Sequence, residues 1–294
     1  MRVTNRMLTE TTLTNLNSNR ERLDRLQDQL TSSQRISNPS DDPIGISSAL
    51  EFRSTISEID QYLRNVDAAN SWLGATDTAL GAVNDTLHRA RELAVQGAND
   101  TLSADDRQSI VTEVSNLIEA TIGRANSTYA GQYIFAGVKV GTTPFSPVGN
   151  PPTAITYNGD GGAIARQINN QATMVVNSTG NTVFGPVFTA LIGLRDALTS
   201  GSAGAVAATI LDIDGALNSV ISARAQAGAR MNRLVGEQNR LESLKLDLAG
   251  LLSKIQDVDI TSAISEFALQ QSVYEAALAA GAKAITPSLL DYLK

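Results

Sequence analysis

Two heptad stripes, one towards each end, constrain this 294-residue chain more than any other feature. Near the C-terminus Leu234, Leu241, Leu248 and Ile255 fall seven apart, with Leu244, Leu251 and Val258 three further along. Near the N-terminus Leu16, Leu23 and Leu30 repeat at seven, and Leu26 fills the next register position. Such a narrow stripe reads as a coiled-coil seam, because a 3.5-residue repeat keeps one edge of a slightly underwound helix facing its partner. Two seams with a different kind of sequence between them describe a chain that leaves and returns along one rod. That predicts an architecture for assembly, not for a pocket.

Between the seams, local signals divide the chain. Residues 8–36 read as a polar helix with a thin leucine stripe, broken by Asn38-Pro39-Ser40-Asp41-Asp42-Pro43. Pro43 suits a first helical position, where its missing N–H is no loss, and Asp42 suits the N-cap before it. The carboxylates of Asp41 and Asp42 are expected to face the positive end of the helix that follows. That helix should run to about residue 97, with Ile59, Val66, Leu73 and Leu80 at a strict seven-residue period. At 1.5 Å per residue it makes a rod of roughly 80 Å. Ser103 to Asp106 gives a capping-box start to a further helix striped by Ile110, Val114 and Leu117, an antiparallel neighbour after a short connection.

The texture changes at Asn126. Tyr129 to Gly137 is aromatic and glycine-punctuated, which predicts strand, and prolines and glycines then dominate to about Gly185. Ile155–Tyr157 and Thr173–Val176 read as short strands in a β-rich insert of modest stability. Helix returns over 187–198, again from about 205 to 256, and finally over 259–284 with Ile260, Ile264, Phe267, Val273 and Leu278. An apolar tail containing Leu289, Leu290 and Leu293 follows. The expected fold class is mainly α: long antiparallel helical rods, terminal coiled-coil helices and a small β-rich insert. The expected regions are 1–42 with 258–294 as the terminal coiled coil, 43–140 with 186–257 as the rod, and 141–185 as the insert. Ile59, Val66, Leu73, Leu80, Leu234, Leu241, Leu248 and Leu251 should form the rod core. Leu16, Leu23, Leu30, Ile260, Ile264, Phe267, Leu289, Leu290 and Leu293 should serve assembly. The terminal regions bury too little on their own to offset an ordering entropy of about 1–2 kcal/mol per residue, so they should order on joining other copies.

Composition excludes several functions. The net charge of −7, from 23 basic and 30 acidic residues, argues against nucleic acid as the main partner, which would need a basic surface. Cysteine is absent, which removes disulfides, thiolate nucleophiles and zinc–thiolate sites. No run of about 18 apolar residues predicts a membrane span, and the N-terminal residues have no apolar core typical of a cleaved signal. His88 is the only histidine, flanked by arginines on a helix, so neither a two-histidine zinc helix nor an evident Ser-His-Asp triad is available. Asp41 with Asp42, and Asp257 with Asp259, read more simply as helix caps than as metal ligands. Gly159-Asp160-Gly161-Gly162 lacks the Gly-Lys-Ser/Thr spacing of a phosphate loop and reads as a hairpin turn. No catalytic, cofactor or metal site is expected.

Three tracts together carry a resemblance. They are Arg35-Ile-Ser-Asn-Pro-Ser-Asp-Asp-Pro43, Arg89-Ala-Arg-Glu-Leu-Ala-Val-Gln-Gly-Ala-Asn99 and Asn126-Ser-Thr-Tyr-Ala-Gly-Gln-Tyr-Ile-Phe-Ala-Gly137, and the close Ser288-Leu-Leu-Asp-Tyr-Leu293 fits the same pattern. The chain resembles the flagellin family over about 1–145 and 185–294, and within it the branch that joins the flagellar hook to the filament. The resemblance implies an inner tube of terminal helices, an outer shell of long helices and an insert that faces outward. It implies a ring of like copies, a preceding hook-associated protein on one side and flagellin on the other. Unfolded export by the flagellar type III route, with a cytoplasmic chaperone on the C-terminal helix, is implied too. A short filament flagellin is the nearest alternative. A wall hydrolase on a flagellar scaffold and a cytoplasmic coiled-coil signalling protein are more distant ones.

Overall fold

A computed structural model of the protein describes residues 5–99 and 102–285. The described residues form a mainly α fold whose helices are α1 Asn5–Ser32, α2 Pro43–Gly97, α3 Ala104–Ala125, α4 Gly180–Ser200, α5 Ala203–Gln256 and α6 Ile260–Ile285. Between α3 and α4 lie three antiparallel strand pairs: β1 Thr128–Tyr129 with β2 Gln132–Tyr133, β3 Phe145–Val148 with β4 Ala154–Tyr157, and β5 Ala165–Gln167 with β6 Thr173–Val175. The chain divides into two compact units, a terminal unit from Met1–Glu58 and Leu244–Lys294 and a middle unit from Ile59–Ser243.

In the middle unit α2 and α5 run antiparallel. Asp77 pairs with Arg224 and Arg91 with Asp214, each at 2.8 Å, so residue numbers fall along α5 as they rise along α2. Arg89 reaches Glu113 on α3 at 2.7 Å. These pairs are half-exposed and worth at most about 1 kcal/mol each, so they set register more than stability. Stability comes from the heptad faces. Ile59, Val66, Leu73 and Leu80 on α2 and Leu234 and Leu241 on α5 are all buried. Ser103 caps α3 in the expected reciprocal box with Asp106. α5 is long and apolar enough to cross a bilayer by composition, although Asp212 and Asp214 interrupt its apolar run. Here Val206, Ile213, Ala216 and Val220 are buried on one side of it.

The strand-rich segment departs from expectation in two ways. Only Thr128–Tyr129 and Gln132–Tyr133 pair, through a two-residue turn with Ala130 at φ 49° and Gly131 at φ 77°, the left-handed pair that matches strand twist. Ile134, Phe135 and Ala136 then form a buried turn, not a strand. Second, α4 begins at Gly180, seven residues before the expected start, and carries Pro186 inside it. A side chain at Gly180 would collide with the Phe135 carbonyl, so this breaker-like residue is required by packing. Phe135, Phe145, Phe184 and Phe188 meet in one aromatic cluster, with ring centroids 4.8 Å apart for Phe135–Phe184 and 5.4 Å for Phe145–Phe184. Edge-on and tilted rings at such spacing each add about 0.5–1.5 kcal/mol beyond area burial.

Polar side chains complete the attachment. Asn126, just past α3, both donates to and accepts from the backbone of Phe145. Gly159 to Gly162 is an irregular link between β4 and β5, which do not pair with each other, and not a hairpin turn. Its Asp160 carboxylate accepts the N–H groups of Val138 and Gly162 at 2.7 and 3.0 Å. The β5–β6 hairpin is tied to both long helices, by Asn65 to the Gln167 carbonyl and by Asn169 to Glu237, each at 2.9 Å.

Candidate assembly surface

The terminal unit is built on α1 and α6, which pack as an antiparallel pair. On α1 the half-buried positions Thr9, Thr12, Leu16, Asn19, Leu23, Leu26 and Leu30 alternate three and four apart, with Gln29 half-buried beside the last. That is the predicted heptad seam, and Leu16, Leu23 and Leu30 lie on it. On α6 the inward positions are Ala263, Phe267, Gln270, Tyr274, Ala277 and Gly281. Of the residues expected to stripe α6, only Phe267 faces in. Ile260 and Ile264 are 42% and 54% exposed, and Val273 and Leu278 are exposed as well. Small residues take the seam because the helices approach closely: a Cβ on Gly281 would stand 3.0 Å from the Thr12 methyl. The larger side chains flank the seam on either side. Leu289, Leu290 and Leu293 lie outside the described residues.

A similar shift occurs on α5. Leu248 is half-buried, but Leu251, expected in the rod core, is 44% exposed. Its neighbour Leu252 turns inward instead, because the second seam position here follows the first by four residues, through Lys245 and Leu252. Leu244 and Leu246 are exposed on the same stretch. Of nineteen large hydrophobic side chains exposed among the described residues, twelve belong to the terminal unit, which holds well under half of the chain. Single exposed leucines need no explanation, but such a concentration makes the terminal unit the candidate interaction surface.

A joint holds the two breaks of the terminal unit together. α1 ends at Ser32, and Ser33 adopts the left-handed conformation at φ 58°, typical of a helix stop. The Ser33 carbonyl accepts from Val258 N–H at 3.2 Å, and Gln34 bridges Asp257. Arg35 donates its backbone N–H to the Gln256 carbonyl and its guanidinium to the Ile255 carbonyl, at 2.6 and 2.8 Å. These are orphan carbonyls at the C-terminus of α5, where a cation is also favoured by the helix dipole. Arg53 of α2 binds the Gln256 side chain at 2.9 Å, and Gln256 is buried.

The rest of the Arg35–Pro43 tract shapes the turn into α2. Ile36 is buried, and a side chain at Gly45 would run into it. Asp42 caps α2, its Oδ1 accepting from Gly45 N–H at 2.9 Å, and Pro43 is the first helical residue. Asp41, expected to face the same helix end, instead accepts the N–H groups of Asn38 and Ser37 at 3.0 and 3.3 Å. Those bonds, Asn38 first, hold its carboxyl below the usual aspartate range. Asp259 caps α6 through Thr261 N–H, whereas Asp257 takes part in the backbone bridge. Nothing in the local sequence pointed to Arg35 as the joint's donor. The available signal was a helix ending at Gln256 without a glycine cap, which leaves carbonyls needing a donor.

Elsewhere the surface offers little chemistry. A cleft of about 580 Å³ in the middle unit is lined by Asn177, Thr182, Asn218, Ser222, Gln226 and Arg230 among others, without a carboxylate or imidazole. His88 is exposed. Among the described residues no group of three or more His, Asp or Glu side chains is placed to hold a metal ion.

Comparison with known proteins places this architecture. The bacterial flagellin N-terminal helical region matches residues 3–140, and the bacterial flagellin C-terminal helical region matches residues 210–293. The chain is 28% identical to the flagellar hook-associated protein 3 of Salmonella typhimurium, over 94% of each. It is 30% identical to a flagellin of Bacillus subtilis, over 97% of this chain and 96% of that protein. A putative flagellar hook-associated protein from Vibrio parahaemolyticus shares the fold, with a TM-score of 0.65 at 23% identity over 74% of this chain and 100% of that one.

Proposed function

The chain belongs to the bacterial flagellin family, and from that premise we propose that it is the structural junction between the flagellar hook and the filament. The observation that carries the assembly part of this reading is the concentration of exposed large apolar side chains on the terminal unit, seven of them on α1 and α6 beside the seam those helices already share. A helix pair with one satisfied seam and two apolar flanks is complete only beside further helices. In this reading copies of the chain stand in a ring. Residues 1–42 with 258–294 form the inner tube, 43–140 with 186–257 the surrounding rod, and 141–185 the outward insert. One axial face meets a preceding hook-associated protein and the other meets flagellin. The near full-length likeness to hook-associated protein 3 of Salmonella typhimurium supports this station.

Export follows from the same reading. The chain travels unfolded through the flagellar type III channel, its apolar C-terminal helix held in the cytoplasm by a chaperone. A chain without cysteine passes between reducing and oxidising surroundings without cross-linking. The likeness to a Bacillus subtilis flagellin favours a second reading, a short filament subunit. Deleting the gene separates the two. A junction protein leaves hooks without filaments and flagellin free in the medium. Filaments of normal length on the deletion strain would refute the junction reading.

A further inference from the structure

The α1–α6 pair contains one polar layer. Asn19 sits on the seam between Leu16 and Leu23, and Gln270 sits on it between Phe267 and Tyr274, both half-buried. The Gln270 side-chain amide donates to the Asn19 backbone carbonyl at 3.3 Å and to its Oδ1 at 3.4 Å. Apolar residues at these positions would bury more surface, so the polar layer has a cost in stability that calls for a return in specificity. The remainder of the seam discriminates poorly between offsets. Ala263, Ala277 and Gly281 are small on α6, and Thr9 and Thr12 are short on α1, Thr12 lying opposite Gly281.

From this juxtaposition we infer that Asn19 and Gln270 are positioning residues that set the register of the terminal helix pair. A slip of one heptad moves one helix along the other by about 10 Å, beyond hydrogen-bond reach. The two half-buried amides then lose each other against a seam of leucine, phenylalanine and alanine, and a polar group withdrawn from water without its partner is penalised more than the bond is rewarded. The register matters because the same slip displaces every outward apolar side chain of α6 relative to α1. This inference therefore rests on the reading of the terminal unit as an assembly surface.

Disulfide trapping in the full-length chain tests it, since the protein has no cysteine of its own. Thr12→Cys with Gly281→Cys reports the observed register, those positions being in contact. Thr12→Cys with Tyr274→Cys reports a slip of one heptad. In the otherwise unchanged chain the first pair should cross-link about tenfold more than the second, the ratio expected when both half-buried amides lose their partner. Adding Asn19→Leu and Gln270→Leu together should collapse that ratio while helix content, followed by circular dichroism, is kept or raised. An unchanged ratio in the leucine variant, or equal cross-linking in the parent, overturns the inference. The assay reads isolated chains, so failure of the assembly reading would appear separately, as normal flagella from an α6 flank variant.

Discussion

Leu241 and Leu251 are ten residues apart on one helix, yet one is buried and the other exposed. Leu241 is 2% exposed and Leu251 is 44% exposed. Truncating a leucine buried as fully as Leu241 leaves a cavity and destabilises by about 3 kcal/mol. For a unit of this size, each kcal/mol lowers the melting temperature by about 2–4 °C, so Leu241→Ala should melt roughly 6–12 °C below the parent. Leu251, in the smaller terminal unit, keeps nearly half of its surface in water, and the same truncation removes only about 1 kcal/mol of burial, a third of the loss at Leu241. Assembly should reverse the ranking. If neighbouring copies cover the exposed part of Leu251, its loss should weaken each contact by about 1 kcal/mol and raise the concentration needed for assembly several-fold. Thermal melts of the isolated chain and sedimentation of assembled material measure the two effects. Equal losses of stability for both variants would refute the seam assignment, and unimpaired assembly of Leu251→Ala would refute the role of the outward face.

Four further outcomes are expected. Gly137 has φ 72° and stands against Asp160, so Gly137→Ala should destabilise the strand-rich segment by more than 1 kcal/mol, read as a lower melting temperature. Asp42→Ala removes the cap of α2 and should cost about 1 kcal/mol, read by chemical denaturation, with Asp42→Asn nearly silent. Glu237 is held below its ordinary 4.5 by Arg240 and then by Asn169, so it stabilises above that value and the contribution fades as pH falls through its lower folded pKa. Amide-exchange protection of Ile168 should therefore drop in acid, and Glu237→Gln should flatten that dependence. Ile264→Ser, on the exposed flank of α6, should leave stability within about 0.5 kcal/mol of the parent while abolishing assembly, judged by electron microscopy of flagella.

Local signals predicted the fold where they acted alone. Asp42-Pro43 marked the start of α2, Ser103 and Asp106 marked α3, and the heptads of Ile59 to Leu80 marked a buried face, because caps and periodicity are written in adjacent residues. They misled where tertiary contacts override them. Gly180 and Pro186 read as breakers, but the Phe135 carbonyl requires a residue without a side chain at Gly180, and the helix continues. The aromatic cluster joins residues from Phe135 to Phe188, a pairing that no local window contains.

The α1 seam was legible in the sequence, whereas the α6 seam was not, its large apolar residues lying on the exposed flank instead. Sequence reading seeks the largest apolar residues for a seam. In α6 the seam holds Ala263, Gln270, Ala277 and Gly281 because α1 comes close there, and Ile260, Ile264 and Leu278 are left outside. Large residues on the flank are what a helix needs when its remaining partners belong to other copies. The joint around Arg35 was hidden because its acceptors, Ile255 and Gln256, lie some 220 residues away.

The junction assignment is tested most directly by immunogold labelling of intact flagella with antibody against this chain. The account predicts label confined to one narrow band where the hook meets the filament. Label distributed along the whole filament would contradict it and make the chain a filament subunit.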